Sequence, residues 1–111
     1  MAYCGKFSPV TPGETKSFSL NLAAQLAAAA PLPADSIASI TSVTILDPSG
    51  TDPNPSGLLI SSPAITATTW ISQKIGGAFV PGVVYIIVMS CLTVNGQTLT
   101  NWAHLPCTGI V

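Results

Sequence analysis

The last third of the chain has the most regular alternation of apolar positions. Two apolar runs, Val83 to Val94 and Gln97 to Leu105, are separated by Asn95-Gly96. Asn-Gly between such runs is a strong β-hairpin signal, because a two-residue type I′ turn needs positive φ at both central positions. The pattern predicts two long antiparallel strands with no polar face, whereas an antiparallel strand of a lone soluble domain usually has one wet face.

A two-residue turn at Asn95-Gly96 would fix the register of this hairpin. The inner face would take alternate residues from Tyr85 to Cys91, with Trp102 opposite Met89 and His104 on the same face. The outer face would carry a second apolar set: Val84, Ile86, Val88, Leu92, Leu99, Ala103 and Leu105. An uncovered apolar face of this size indicates an interface.

Two candidates can cover that outer face: the chain's own N-terminal arm and a neighbouring subunit. Residues 1–14 contain Pro9 and Pro12 and read as an irregular arm, in which Tyr3 and Phe7 are apolar anchors. We expect a neighbouring subunit to provide most of the cover. The predicted protein interface comprises Tyr3, Phe7, Val84, Ile86, Val88, Leu92, Leu99 and Leu105.

The rest of the chain reads as short strands separated by Gly and Pro turns. The predicted strands are Thr15–Leu22, Ile37–Leu46, Leu58–Ile60 and Thr66–Ile75, with a turn at 47–50 and a loop with a possible helical turn at 23–33. This pattern predicts an all-β fold, an antiparallel β-sandwich of six to seven strands with an N-terminal arm. The arm would be 1–14, the sandwich 15–107 and a short tail 108–111.

Charge is unusually scarce. Of 111 residues, 48% are apolar and only 6% are charged, where about 25% is usual. Net charge near zero favours association, so we expect protein neighbours over much of the surface. Three scattered Lys cannot neutralise a line of phosphates, which disfavours nucleic-acid binding, and no apolar run approaches the roughly 20 residues of a membrane-spanning helix.

Candidate chemistry is sparse. Cys4, Cys91 and Cys107 have no C-x-x-C spacing, so we expect reduced, mostly buried thiols and no zinc or redox motif. His104 is the single His, and we expect it to be buried and structural. With no phosphate loop, metal-ligand cluster or nucleophile elbow, the sequence predicts no enzyme and no cofactor.

Trp70 and the loop at 51–57 support a different hypothesis. An exposed ring beside a polar loop is a surface on which a sugar can stack, and the chain would then be an adhesin or capsid-decoration module. The alternative for Trp70 is a place in the core or an interface, since Trp is mostly buried.

The segment Phe79-Val80-Pro81-Gly82-x-x-Tyr85 resembles the corner that enters the penultimate strand of fibronectin type III domains. In that tyrosine corner the ring folds into the core and its hydroxyl bonds back to the backbone. The resemblance implies an Ig or fibronectin type III-like sandwich. It specifies a fold and no activity.

Over most of residues 9–107 the chain resembles the phage fibre-tail adaptors. The matching segments are Pro12–Thr15, Ser36–Ser39, Ser49–Ser56, Pro81-Gly82-x-x-Tyr85 and Trp102–Cys107, the last being the most specific. The link at 23–33 departs from the family by its greater length. The resemblance implies a structural virion protein that joins fibres to a tail or neck component. Since the N-terminus shows no secretion signal, we expect synthesis in the host cytoplasm. The apolar outer face and low charge lead us to expect docking with other virion proteins as a symmetric homo-oligomeric ring.

Overall fold

The computed structural model describes residues 2–22, 36–66, 69–94 and 96–108, with side chains from residue 5 onward. The predicted link at 23–33 lies outside the described residues, as does most of the tail. Seven strands and one 3-10 turn are present: β1 (Ala2–Lys6), β2 (Thr15–Asn21), β3 (Ile37–Leu46), η1 (Pro55–Leu58), β4 (Ala64–Thr66), β5 (Trp70–Gly76), β6 (Val84–Thr93) and β7 (Thr98–Pro106).

The strands form two sheets, and the predicted all-β sandwich is confirmed. One sheet has the order β1-β7-β6-β3 and the other β2-β5-β4. Every pair is antiparallel except β1 with β7. The core lies between the sheets, where fully buried side chains such as Ile71, Ile75, Tyr85 and Ile87 meet.

The β-branched run Ile37–Leu46 forms β3 over the predicted residues. The prediction of one strand at Thr66–Ile75 is wrong, because β4 ends at Thr66 and β5 begins at Trp70. The predicted strand at Leu58–Ile60 is also wrong. Leu58 ends η1, and Leu59 makes only an isolated bridge to Ile75.

The N-terminal segment is more ordered than the predicted irregular arm. Residues 2–6 form β1, which extends the four-stranded sheet by parallel pairing with β7. Val10 is fully buried and bridges Cys107, where its N–H donates to the Pro106 carbonyl at 3.0 Å. The segment therefore belongs to the sandwich, and it lies along the edge of the last hairpin rather than over its outer face.

The closing hairpin has the predicted strands in a different register. Thr93 donates its N–H to the Gln97 carbonyl at 2.8 Å, and Leu92 pairs with Thr98. Three residues therefore separate Thr93 from Gln97, where a two-residue turn was predicted. Gly96 has φ of 83° and donates its N–H to the Thr93 carbonyl, an arrangement typical of a type I turn followed by a left-handed glycine.

One extra residue in the turn exchanges the two faces of β7, because side chains alternate with a period of two. Leu105 is fully buried and Ala103 nearly so, and Leu99 packs against the core. The prediction that Leu99 and Leu105 face outward is therefore wrong. Trp102 now lies opposite Val88, and His104 opposite Ile86, so neither occupies the predicted inner face.

Candidate protein interface

Strand β6 alternates between core and surface as predicted. Tyr85, Ile87, Met89 and Cys91 are fully buried. On the opposite side Val84 is 46% exposed and Leu92 41%, and the residues between them are half-buried. The outward placement of Val84, Ile86, Val88 and Leu92 is confirmed, whereas their role in an interface stays a prediction.

The neighbouring strands add apolar groups beside this row. Leu46 of β3 is 47% exposed and pairs with Ile86 from one side, while His104 pairs with Ile86 from the other. The Trp102 and His104 rings meet edge to face, with centroids 5.2 Å apart. We call the resulting surface the outer patch: Leu46, Val84, Ile86, Val88, Trp102 and His104.

A shallow depression lies at one end of the outer patch. It has a volume of about 340 Å³, and its lining includes Pro48, Ser49, Gly82, Val84 and His104. The Ser49 hydroxyl donates to the Asp47 carboxylate at 2.6 Å, so it is engaged within its own turn. None of its lining residues is Lys, Arg, Asp or Glu, so a neighbour could cover this hollow without meeting a charge from its lining.

Beyond Val88 the same face becomes rich in hydroxyl groups. Ser90 and Thr100 lie opposite each other and share a hydrogen bond of 3.0 Å between their side chains. Ser42 and Thr44 of β3 are exposed on this side of the sheet. Strands β3, β6 and β7 contain no Lys, Arg, Asp or Glu, so no charge from these strands has to be desolvated when a partner covers the face.

The predicted contribution of the N-terminal segment to this face is only partly testable. Phe7 packs inward, because its ring meets Phe18 edge to face with centroids 4.9 Å apart and it lies against the core. The prediction that Phe7 helps to cover the outer face is therefore wrong. The backbone of Tyr3 pairs with Trp102 at the edge of the sheet, and the Tyr3 side chain lies outside the described part.

The tyrosine corner is present and has an additional partner. The Tyr85 hydroxyl accepts the Val80 N–H at 2.9 Å, as the sequence predicts, and donates to Oδ2 of Asp52 at 2.7 Å. Burial, followed by the hydrogen bond to Asp52, raises the pKa of Tyr85 to about 12. This contact fastens the loop 51–57 to the entrance of β6.

Asp47 organises the start of that loop. Its two carboxylate oxygens accept from Ser49 and from the Asp52 N–H, the latter at 2.7 Å. The Ser49 hydroxyl, followed by the Asp52 N–H, holds the pKa of the Asp47 carboxyl below its ordinary value. The carboxylates of Asp47 and Asp52 therefore stabilise this turn, because their oxygens accept hydrogen bonds from other groups of the protein.

Trp70 and the loop 51–57 lie at opposite ends of the sandwich. Leu22 donates its N–H to the Thr69 carbonyl at one end, whereas Asp52 reaches Tyr85 and Leu58 lies beside Gly77 at the other. The six steps of β5 from Trp70 to Gly76 span about 20 Å at about 3.3 Å per residue. A single glycan site built from both is contradicted.

Trp70 itself stands on a polar surface. It is 37% exposed and pairs with Asn21 on one side and Thr66 on the other. Ser19 and Ser72 on the same face share a hydrogen bond of 2.7 Å. The outer side of the three-stranded sheet is therefore the wet one, in contrast to the outer patch.

The remaining reactive groups have structural settings. Cys91 and Cys107 are buried thiols, as predicted, and burial raises the pKa of the Cys107 thiol. The Cys4 side chain lies outside the described part. His104 is half-buried on the outer face, so its predicted burial is wrong. Among the described residues there is no group of three or more His, Cys, Asp and Glu placed to hold a metal ion. That part of the chain also contains no helix of the length and apolarity needed to cross a membrane.

No protein-family model, curated protein or solved structure matches the chain. Sequence reasoning missed Leu46, Trp102 and His104 as members of the outer patch. For Trp102 and His104 the missing information was the number of residues in the turn. Leu46, which directly precedes the turn at Asp47, was missed because its place beside Ile86 depends on the pairing of β3 with β6, and the sequence alone does not show that pairing.

Proposed function

We propose that the chain is a structural virion protein of a tailed phage, an adaptor that joins fibres to the tail or neck as a symmetric homo-oligomeric ring. The observation that carries the proposal is the outer patch: an apolar surface on three strands without charged residues, in a chain with only 6% charged residues. An adaptor needs steady adhesion through buried surface, and such a face provides it without desolvating any charge of β3, β6 or β7.

The resemblance to fibre-tail adaptors supports the same function. Its motifs fall at turns and strand ends: Pro12–Thr15 leads into β2, Ser49–Ser56 forms the loop bound by Asp47 and Asp52, and Trp102–Cys107 closes β7. The parallel N-terminal strand and the tyrosine corner are compatible with the implied Ig-like sandwich. These positions concern fold and assembly rather than chemistry.

The size of the outer patch determines how a neighbour has to bind. Three strands about 4.8 Å apart and five residues at about 3.3 Å each give roughly 240 Å². A stable interface takes about 800 Å² from each partner. The outer patch is therefore the apolar centre of a larger contact, and the hydroxyl groups of Ser42, Thr44, Ser90 and Thr100 form its polar rim, the usual arrangement in interfaces.

The first experiment measures the mass of the purified chain by sedimentation over a concentration series. Val88→Lys places a charge in the centre of the outer patch, on a half-buried position whose side chain points away from the core. We expect this variant to keep its fold and to lose the ring, leaving no species larger than a dimer. Thr66→Lys is the matched control, since Thr66 is exposed on the other sheet, and we expect it to assemble normally.

Antibody labelling of intact particles then tests the location, with signal at the tail or neck expected. A wild-type chain that remains monomeric at every concentration, or a Val88→Lys chain that assembles like wild type, would contradict the role of the outer patch. Absence of label from purified particles would contradict the virion function.

Trp70 favours a second candidate function, an adhesin or decoration module. A single exposed ring among hydroxyl and amide groups is a surface on which a sugar can stack. In this chain the candidate sugar site would consist of Trp70 and its polar neighbours, without the loop 51–57. Titration with host-surface glycans tests this. Saturable binding that is lost in Trp70→Ala and kept in Val88→Lys would favour the adhesin over the adaptor.

A further inference from the structure

The two sheets have four edge strands, and three of these edges carry features that discourage pairing with another chain. β2 contains Lys16, whose amine lies 3.1 Å from the Glu14 carboxylate. β4 is only three residues long. β1 contains Lys6, and its register shifts near Gly5, which has φ of 100°. Charge, shortness and bulges are the usual means by which proteins protect sheet edges.

The fourth edge, β3, is different. It is ten residues long, contains no charged residue and no Pro, and is rich in β-branched side chains. Its pairing with β6 shifts twice between Ile37 and Ser42 and is then regular through Leu46. Among the described residues, no strand and no further backbone hydrogen bond occupies the other side of β3. Within the described residues, the backbone of the regular stretch Ser42–Leu46 is therefore hydrogen-bonded to β6 alone, although η1 and β4 also approach β3. We call the other side of this stretch the open edge of β3.

We infer that the open edge of β3 pairs with the same edge of a second copy of this chain. Unpaired backbone N–H and C=O groups along an extended strand are complementary to another extended strand. The pairing would be antiparallel about a two-fold axis within Ser42–Leu46, so that the two four-stranded sheets become one continuous sheet. This contact uses the backbone edge of β3, whereas the outer patch and its rim use side chains of the outer face, to which Ser42, Thr44 and Leu46 also belong. It does not depend on the virion function.

The composition of β3 makes a second copy the fitting partner. In this antiparallel two-fold pairing, the numbers of two residues that pair across the two copies sum to an even number. Outward-facing residues of one copy therefore pair with outward-facing residues of the other, and inward-facing residues pair with inward-facing ones. Exposed Ser42 and Thr44 would thus face hydroxyl-bearing or apolar neighbours, and Val43 and Ile45 would meet each other's apolar surface. Such cross-strand pairs are favourable, and no like charges within the stretch oppose the approach.

Cysteine cross-linking tests the pairing directly. In a Cys4→Ser background, Ser42→Cys, Thr44→Cys and Leu46→Cys each place a thiol on the outward side of the stretch, and Cys91 and Cys107 remain buried. Directly opposed strand residues have Cβ atoms about 4.5–5.5 Å apart, close to the separation a disulfide needs. With copper phenanthroline as oxidant, we expect at least a tenfold excess of covalent dimer over Thr66→Cys, the control on β4. The excess should appear in one of these variants when the axis passes through Ser42, Thr44 or Leu46, and in an equimolar mixture of two of them when it passes through Val43 or Ile45.

The controls separate this contact from the outer patch. Adding Val88→Lys to the best cross-linking variant should leave the covalent dimer in place, because the edge pairs through its backbone. Amide hydrogen exchange should slow at alternate residues of Ser42–Leu46 as concentration rises. Cross-linking no greater than in the Thr66→Cys control, or exchange at β3 that is independent of concentration, would overturn the inference. Covalent dimers of Val88→Cys, with none from the cysteine variants of β3, would also overturn the inference and would leave the outer patch as the contact between copies.

Discussion

Tyr85 carries the most consequential polar contacts in the core. Its ring lies between the sheets and meets Phe79 edge to face, while its hydroxyl joins Val80 and Asp52. The resemblance to the tyrosine corner predicts that this hydroxyl bonds back to the backbone, without naming Val80. It cannot predict Asp52, which lies 33 residues away and arrives there only through the loop that follows β3.

Replacing Tyr85 with Phe should lower the free energy of unfolding by about 1–3 kcal/mol, since the substitution leaves the Val80 N–H and the Asp52 carboxylate without this partner. Denaturant unfolding measures the loss. Because the folded pKa of Tyr85 is raised to about 12, the hydroxyl stabilises the fold below the ordinary pKa of 10.0, and this contribution disappears as pH rises from there toward 12. Ultraviolet titration should show a tyrosine ionisation near pH 12 that is missing in Tyr85→Phe. A loss of stability below about 0.3 kcal/mol, or no such late ionisation, would contradict the described contacts.

Two carboxylates, those of Glu14 and Asp47, make the stability of the fold depend on pH in the acidic range. The N–H and then the hydroxyl of Thr11 lower the pKa of Glu14, and the Ser49 hydroxyl lowers that of Asp47. A lowered pKa stabilises the fold above the ordinary value, and the contribution is lost as pH falls below it. We expect stability to decline below about pH 4.5, the ordinary pKa of Glu14.

The double variant Glu14→Gln, Asp47→Asn should show a flatter decline, measured by denaturant midpoints from pH 7 to pH 2. Lys16→Gln alone is a useful comparison, because Lys16 acts on Glu14 after the two Thr11 contacts. A double variant whose midpoints fall as steeply as those of wild type would show that other groups determine the acid response.

At the scale of elements, local sequence determined strand identity better than strand pairing. The β-branched run of β3 and the alternation of β6 predict their strands, since both patterns depend on the chain itself. The register of β6 with β7 depended on one residue in the turn. Asn95-Gly96 is compatible both with a two-residue turn and with a three-residue turn that ends in a left-handed glycine, and the two alternatives place opposite faces of β7 in the core.

Truncation of one residue on each face measures which register the protein uses. Leu105→Ala removes a fully buried side chain and should cost about 2–5 kcal/mol of unfolding free energy. Val84→Ala removes a side chain that is 46% exposed and should change stability by no more than about 0.5 kcal/mol. If both variants lost an equally small amount of unfolding free energy, both residues would face outward, as the two-residue turn predicts. That result would contradict the register described here.

At the scale of the whole molecule, the sandwich has one wet and one apolar outer side. The three-stranded sheet presents Ser, Thr, Asn and Lys around Trp70, whereas the four-stranded sheet presents the outer patch. Scarcity of charge and apolar alternation predict such a surface from sequence. The parallel addition of β1 could not be predicted, because residues 1–14 have no strand pattern of their own and pair only once β7 is in place.

The two tryptophans lie on opposite sheets, and they allow the most direct measurement of whether the outer patch is covered. Oxidative footprinting compares their reactivity in the assembled wild-type protein and in Val88→Lys. We predict that Trp102 becomes several-fold less reactive on assembly while Trp70 keeps its reactivity. Protection of Trp70 with Trp102 unchanged, or equal reactivity of Trp102 in both samples, would contradict the assignment of the outer patch as the assembly surface.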